Sequence, residues 1–403
     1  KDGKVEKQSR SQEQWSGVKY AYFDWRRYAN LVDQTIRGTV KIWNTNLPAI
    51  GMWWLKRHES LTSQNDPKGW LQRYMDAIYS PFWRREFDAE DLDAVVAVLA
   101  QIGAPTDGFV AFAQGDGAAF NDKAQSNTFD AGVYGVPTYQ LLEHSDSRGV
   151  PAQFFGREHL PRIAALLANQ EKPLPDVAYA LPADLDDLAL EKCASVPGVS
   201  QSQQSLPVYF DFASPNSYLA LPALMQLKAQ GTVLSWHPFD HKPLKKPASF
   251  AADEDRAARH RRVRGEYIAL DIQRYAPHPF RDIYLHIECA SANLGLIWLQ
   301  QIAPARVDDY VCRIFQQLWR DHVDISDLSV ITEQLQQILG EAEFAPTHWH
   351  DFVQSSGSDA LDKAYDKASE LGVTYAPTFF LGEEPFQGRA QLPLISARLN
   401  AGI

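Results

Sequence analysis

The chain has 403 residues, 45% of them hydrophobic and 12% aromatic, enough for two ordinary domains with separate cores. Its formal net charge is −11, which argues against nucleic acid or an anionic membrane as partner unless a local basic patch supplies the contact. No run of about 18 apolar residues suggests a membrane span, and the opening KDGKVEKQSRSQEQ is charged where a secretory leader needs an apolar core.

In chain order, residues 1–170 read as mainly helical, with a helix starting within the opening twenty residues and an apolar strand after the Pro137 of YGVPTYQLL. Residues 171–205 are rich in Pro, Ser, Gln and Asp and read as a linker with one short helix at Leu185–Lys192. Beyond them, strands are expected at 208–212, 233–239, 378–381 and near Pro385–Gln387, with a helix over 216–231. From Ala251 to Leu371 the pattern is helical. There DDYVCRIFQQLW places Tyr310, Ile314 and Trp319 on one stripe, and DISDLSVITEQLQQIL starts at an N-cap, Asp324 or Ser326. The one candidate basic patch, RAARHRRVR at 256–264, alternates with Ala and Val at helical spacing and reads as a solvated helix face. The order β-α-β, helices, β-β-α predicts a thioredoxin fold with an inserted helical domain.

Part of that pattern occurs twice. AGVYGVPTYQLL (131–142) returns as LGVTYAPTFFLG (371–382), FWRREFDAEDLDAV (82–95) as LWRDHVDISDLSVI (318–331), WRRYA (25–29) as IQRYA (272–276), and FFGREHLPRIAALL (154–167) as FQGRAQLPLISARL (386–399). Four matches in one order and at nearly one offset indicate an internal repeat. The expected architecture is α/β: two tandem thioredoxin-like domains, at 1–170 and 206–403, each with an inserted helical domain. The first has no counterpart here of the N-terminal βαβ portion; either the given sequence begins partway through that domain, or a degenerate first domain borrows its partner's sheet.

Three cysteines, Cys193, Cys289 and Cys312, form no C-x-x-C pair, so neither a disulfide framework nor a zinc site is supported. A reducing, cytoplasmic compartment is expected, with Cys289 and Cys312 as inert buried thiols. The stretch DFASPNSYLA (211–220) carries the main site candidate. Ser214 followed by Pro215 is ordinary helix-start grammar, a favoured N-cap before a favoured first helical residue. In a thioredoxin-like fold the same helix start is also the reactive corner, whose amides and positive dipole end stabilise a thiolate. A serine there cannot be a redox centre, but its hydroxyl can donate to a thiolate brought by a cofactor, which points to glutathione. Pro377 and Pro137 stand at the start of strands, where proline removes a ladder donor. Their recurrence favours a cis bond after Ala376 and Val136 that turns the backbone outward toward a peptide-like ligand. His237 and His241 face either the site or solvent and lack a third ligand for a metal. Arg389 and Arg157 recur in Gly-Arg and meet either a carboxylate or a helix-start partner. No glycine-rich phosphate loop indicates a nucleotide.

YFDFASPNSYLA, the W-x-x-x-x-D-I-S-D turn at 319–327, GVTYAPTFF ending at 380 and FQGRAQL at 386–392 together resemble the DsbA-like superfamily, in the branch of 2-hydroxychromene-2-carboxylate isomerases and kappa-class glutathione transferases. The resemblance covers nearly all of 206–403 and, without its first elements, about 15–170. It implies that Ser214 holds the glutathione sulfur, that Ala376 before Pro377 pairs with the tripeptide backbone, and that Pro215, Ser217, Arg389, Val136, Pro137 and Asn44 belong to cofactor-binding positions. The implied activity is thiolate addition to a conjugated, hydrophobic electrophile, followed by bond rotation and elimination in an isomerase, or by retention of the conjugate in a transferase. The alternative is a non-catalytic thioredoxin-fold binding protein, or a DsbA-family protein without dithiol redox activity, since SPNS has no cysteine. The branch usually has an Asn-Thr pair before the first long insert helix; it survives as Asn44-Thr45, while Glu288-Cys289 replaces it in the second copy. An Asp usual after the late glycine is Ala390, with Glu158 in that region of the first copy, and a usual aromatic residue is Asn216.

Overall fold

The computed structural model describes residues 12–58, 68–190, 205–251 and 253–402; Lys192 and Cys193 lie outside the described residues. Two compact units divide the chain, one over Trp15–Tyr134 and the other from Gly135 onward. The first is helical: α1 (Gln12–Asn30), α2 (Asn46–Arg57), α3 (Gly69–Trp83), α4 (Leu92–Gln101), α5 (Phe109–Gln114) and α6 (Asp116–Asp130). Its core joins Ile50, Trp54, Leu55, Tyr74, Ile78, Val95, Leu99 and Phe109. The helices of this unit bury one stripe each, as their apolar spacing requires.

The second unit opens with an antiparallel pair, β1 (Thr138–Ser145) and β2 (Pro151–Phe155), then α7 (Leu160–Leu167) and α8 (Ala183–Leu190). The expected helix at Leu185–Lys192 thus starts two residues earlier, at Ala183. Next come β3 (Ser205–Phe210), α9 (Pro215–Ala229) and β4 (Val233–Pro238). Between β4 and the next strand lie α10 (Arg256–Tyr275), α11 (Ala290–Ile302), α12 (Val307–Trp319), α13 (Leu328–Leu339), α14 (Pro346–Gln354) and α15 (Gly357–Glu370), and the chain ends in β5 (Thr378–Leu381), β6 (Glu384–Gln387) and α16 (Leu392–Ala401). The sheet order is β4-β3-β5-β6. β3 and β4 are parallel, with Val208 opposite Trp236, and β5 runs antiparallel to β3, with Thr378 opposite Tyr209.

β3 carries Leu206, Val208, Tyr209 and Phe210, all buried, as a strand covered on both faces should. Phe210 and Phe212 pack edge-on with ring centroids 4.9 Å apart, and both rings meet Phe315 of α12. Tyr310, Ile314 and Trp319 are fully buried along the α12 stripe. The Trp319 indole donates to Phe212 O at 2.9 Å, fixing the end of β3 against α12. The first residue of α13 follows Asp327, whose carboxylate accepts from Ser329 N, and not Asp324 or Ser326 as expected. Asp324 instead accepts from Ser326 N at 3.0 Å in a separate turn, because Ile325 between them is fully buried and holds the chain inward before the helix can begin. On α10, Arg256, Arg261 and Arg264 are exposed, while Arg262 lies between Glu254 and Glu266.

β1, β2 and α7 dock on α10. Phe155 N donates to the Tyr267 hydroxyl at 2.7 Å, Arg274 donates to Gln153 O at 2.7 Å, and the His159 ring nitrogen Nδ1 lies 2.7 Å from the Tyr275 hydroxyl. This docking places them in the second compact unit although the sequence pattern assigned them to the first domain. Their local geometry matches that of β5, β6 and α16. The Val136–Pro137 and Ala376–Pro377 bonds are both cis. Gly156 N bonds Pro137 O at 3.0 Å, and Gly388 N bonds Pro377 O at 2.8 Å. Those two glycines hold φ of 107° and 88°, where a side chain would be strained.

Candidate functional site

The centre of the site is the junction of β3, α9 and β5. β3 ends at Phe210, the chain turns through Asp211 and Phe212, and α9 starts at Pro215 with Ser214 as its N-cap. Ser214 Oγ accepts from Ser217 N at 3.3 Å, as the capping grammar predicts, and donates to Ala376 O at 3.1 Å. The hydroxyl therefore serves the helix and the strand entry together. Ser214, Pro215, Ser217, Ala376 and Pro377 are all buried. The Ser217 hydroxyl, one turn along α9, is buried without a hydrogen-bond partner, which is uncommon for a native polar group.

Asp211 lies beneath this corner, a residue the motif reading quoted but did not single out. Its carboxylate is 4% exposed and accepts from Ala213 N at 2.9 Å and His241 N at 3.3 Å. The Cys289 thiol, at the N-cap of α11, donates to Ile287 O at 3.7 Å and lies near enough to Asp211 for the two groups to affect each other's charge. Burial pushes the Asp211 carboxyl up to about 6, with the hydrogen bonds from the Ala213 and His241 amides opposing that rise. Burial and the Asp211 charge in turn push the Cys289 thiol well up, and burial raises Cys312 to about 11, so both thiols are protonated and weakly nucleophilic at neutral pH.

Arg389 reaches the corner through Asn216. It donates to Asn216 Oδ1, and Asn216 Nδ2 donates to the Tyr375 hydroxyl at 3.2 Å. Tyr375 is 37% exposed and immediately precedes Ala376. His237 is stacked on Tyr209 at 4.7 Å and bonded to the Ser235 hydroxyl; burial pulls it down to about 4, leaving it neutral. The His241 ring lies 6.2 Å from that of Tyr375. Arg157 stacks over Tyr179.

The remaining first-copy positions are placed elsewhere. Val136, 84% exposed, and Pro137 stand at the start of the separate β1–β2 pair. Asn44 lies in the helical unit, where its N–H bonds Glu90 and its side-chain oxygen accepts from Asn46 N at 3.0 Å at the start of α2. Among the described residues, no group of three or more His, Cys, Asp and Glu could hold a metal, and no helix is long and apolar enough to cross a membrane.

Residues 205–400 match the DSBA-like thioredoxin domain. A 2-hydroxychromene-2-carboxylate isomerase from Pseudomonas sp. (strain C18) is 30% identical over 194 residues, covering 46% of this chain and 84% of that protein. The chain belongs to the DSBA-like thioredoxin family. A second 2-hydroxychromene-2-carboxylate isomerase, from Pseudomonas putida, is 24% identical to this DSBA-like chain over 193 residues, 48% of the chain and 92% of the relative. The solved structure of a 2-hydroxychromene-2-carboxylate isomerase aligns with 49% of this chain and 98% of its own, at 22% identity and a TM-score of 0.39.

Proposed function

We propose that this DSBA-like protein is a glutathione-dependent isomerase or transferase in which Ser214 activates the thiolate for addition to a conjugated, hydrophobic substrate. The observation that carries the reading is the Ser214 hydroxyl at the N-terminus of α9, 3.1 Å from the carbonyl of Ala376 and across from Pro377. A hydroxyl with a rotatable proton in that position can turn from the carbonyl to a sulfur anion, and the α9 dipole favours the same charge. The residues suit the group: the unpartnered Ser217 hydroxyl offers a second polar contact one turn away, and SPNS has no cysteine to compete with a bound thiol. Two curated 2-hydroxychromene-2-carboxylate isomerases among the relatives support isomerisation over redox chemistry.

Glutathione, when bound, supplies the nucleophilic sulfur. The protein's part is to orient that sulfur and hold its charge. Ser214 donates to the thiolate, Ala376 presents its backbone beside Pro377, and Arg389 with Asn216 and Tyr375 forms the polar edge of the corner. Tyr375, partly exposed, offers an apolar ring to the substrate. In the same reading the chain is a tandem of two DsbA-like domains. The cis prolines, the Gly–Pro backbone bonds and the positive-φ glycines common to the β1-β2-α7 and β5-β6-α16 segments support this.

Calorimetric titration of reduced glutathione, with the thiolate absorbance followed in parallel, tests the proposal. Saturable binding by the parent protein and a roughly ten- to hundredfold loss in Ser214→Ala are expected, the value of one hydrogen bond to a charged group. Absence of binding by the parent chain would sink the glutathione reading.

A further inference from the structure

The segment joining β2-α7 to β3 is anchored across the second unit. Ala178 N donates to Glu158 O at 2.9 Å and Tyr179 N to Ala390 O at 3.1 Å, one bond to each of the two equivalent Gly-Arg turns. Val177 is buried among Leu219, Ile272, Tyr275 and Ala390, and Arg162 Nε donates to Pro175 O at 2.9 Å. Between these anchors, both carboxylate oxygens of Asp176 lie 3.1 Å from Arg389 Nε. The Arg389 side chain is only 7% exposed, whereas that of Asp176 is 48% exposed.

A guanidinium buried to that degree requires a counter-charge. Glu158 is the other carboxyl near it, but burial and the Asp271 charge raise its proton affinity against the pull of Arg157 and Arg389. Asp176, with both oxygens 3.1 Å from Arg389 Nε, is the partner the geometry supplies. Because it is half in water, its bond to Arg389 is of the weak, screened kind, while the opposite edge of the same guanidinium is committed to Asn216, two residues after Ser214.

We infer that Arg389 is a carboxylate subsite of the Ser214 corner and that Asp176 is its resident occupant, displaced when a ligand carboxylate binds. The inference rests on the reading that this corner takes a carboxylate-bearing thiol. It makes the interdomain segment a built-in competitor for the site, supplied by the same chain 213 residues from the arginine it covers.

The experiment uses the full chain as parent, Asp176→Ala and Asp176→Asn. Reduced glutathione is titrated into each, and modification of Arg389 by phenylglyoxal is timed by peptide mass mapping with and without glutathione. Release of a half-exposed ion pair should tighten glutathione binding roughly two- to fivefold in both variants, speed modification of Arg389, and let glutathione slow it again. Unchanged or weaker glutathione affinity in the variants overturns the inference, because Asp176 would then be a strut that holds Arg389 in place. If no form binds glutathione, the functional reading above fails on its own. The modification rate still decides the cover: faster reaction of Arg389 in both variants sustains it, and an unchanged rate removes it.

Discussion

Replacing Asp211 with Asn should alter how stability depends on pH more than stability at any one pH. In the fold, burial raises this carboxyl from 3.8 to about 6. At about 1.4 kcal/mol per tenfold change in proton affinity, the difference corresponds to about 3 kcal/mol. The folded-state value lies above the unfolded one, so between pH 4 and 6 the folded chain binds more protons. Stability from this group is full below pH 4, declines as pH rises to 6, and is then lost. In Asp211→Asn that slope disappears. The amide oxygen can accept from only one side, and its NH2 faces either Ala213 N or His241 N, which costs about 1–3 kcal/mol at every pH. The variant should thus be less stable than the parent at pH 4 and nearly level with it, or above it, at pH 7. Urea unfolding at matched pH values, followed by tryptophan fluorescence, gives the difference between the two proteins, in which contributions from other groups cancel. A gap that moves by about 3 kcal/mol in the variant's favour supports the argument. Parallel profiles from pH 4 to 7 would refute it and would mean that the Asp211 carboxylate is adequately solvated by its two backbone hydrogen bonds.

Gly295→Ala in α11 places a methyl 2.2 Å from the Tyr310 hydroxyl and 2.8 Å from Ile331 Cγ2, both in fully buried residues. Overpacking of about 1–3 kcal/mol should exceed the gain of about 1 kcal/mol in helix propensity, so Tm should fall; a higher Tm would contradict this. Trp319→Phe removes the indole bond to Phe212 O and leaves a gap beneath the Ser214 corner. A loss of roughly 2–4 kcal/mol is expected, seen as a lower urea midpoint with the slope unchanged; a loss below about 0.5 kcal/mol would show that the corner is held by other contacts.

The elements nearest the site are those whose signals are local. Ser214-Pro215 caps α9 because a hydroxyl acceptor and a preset φ act within three residues. The alternation of Leu206, Val208 and Phe210, and the apolar run after Pro377, specify strands for the same reason. At DISD the expected caps were Asp324 and Ser326, but the helix starts after Asp327, with Ile325 buried in the turn before it. That start depends on what packs against the turn and is not written in the turn itself. Likewise, Asp211 is one acidic residue in an apolar strand until the fold brings Cys289 and the His241 amide to it.

By itself, then, the sequence determined the order of strands and helices from residue 205 onward, the helix start at Ser214 and the placement of Pro377 at the head of β5, because propensities, caps and periodicity act over a few neighbouring residues. Tertiary structure alone decided that the Ser214 hydroxyl meets Ala376 O, that β1, β2 and α7 dock on α10, and that Asp176 covers Arg389. Each of these joins groups far apart in the chain, and such pairs are chosen by which apolar faces bury one another, with the polar partners then fixed by the need to satisfy charge and hydrogen bonds out of water.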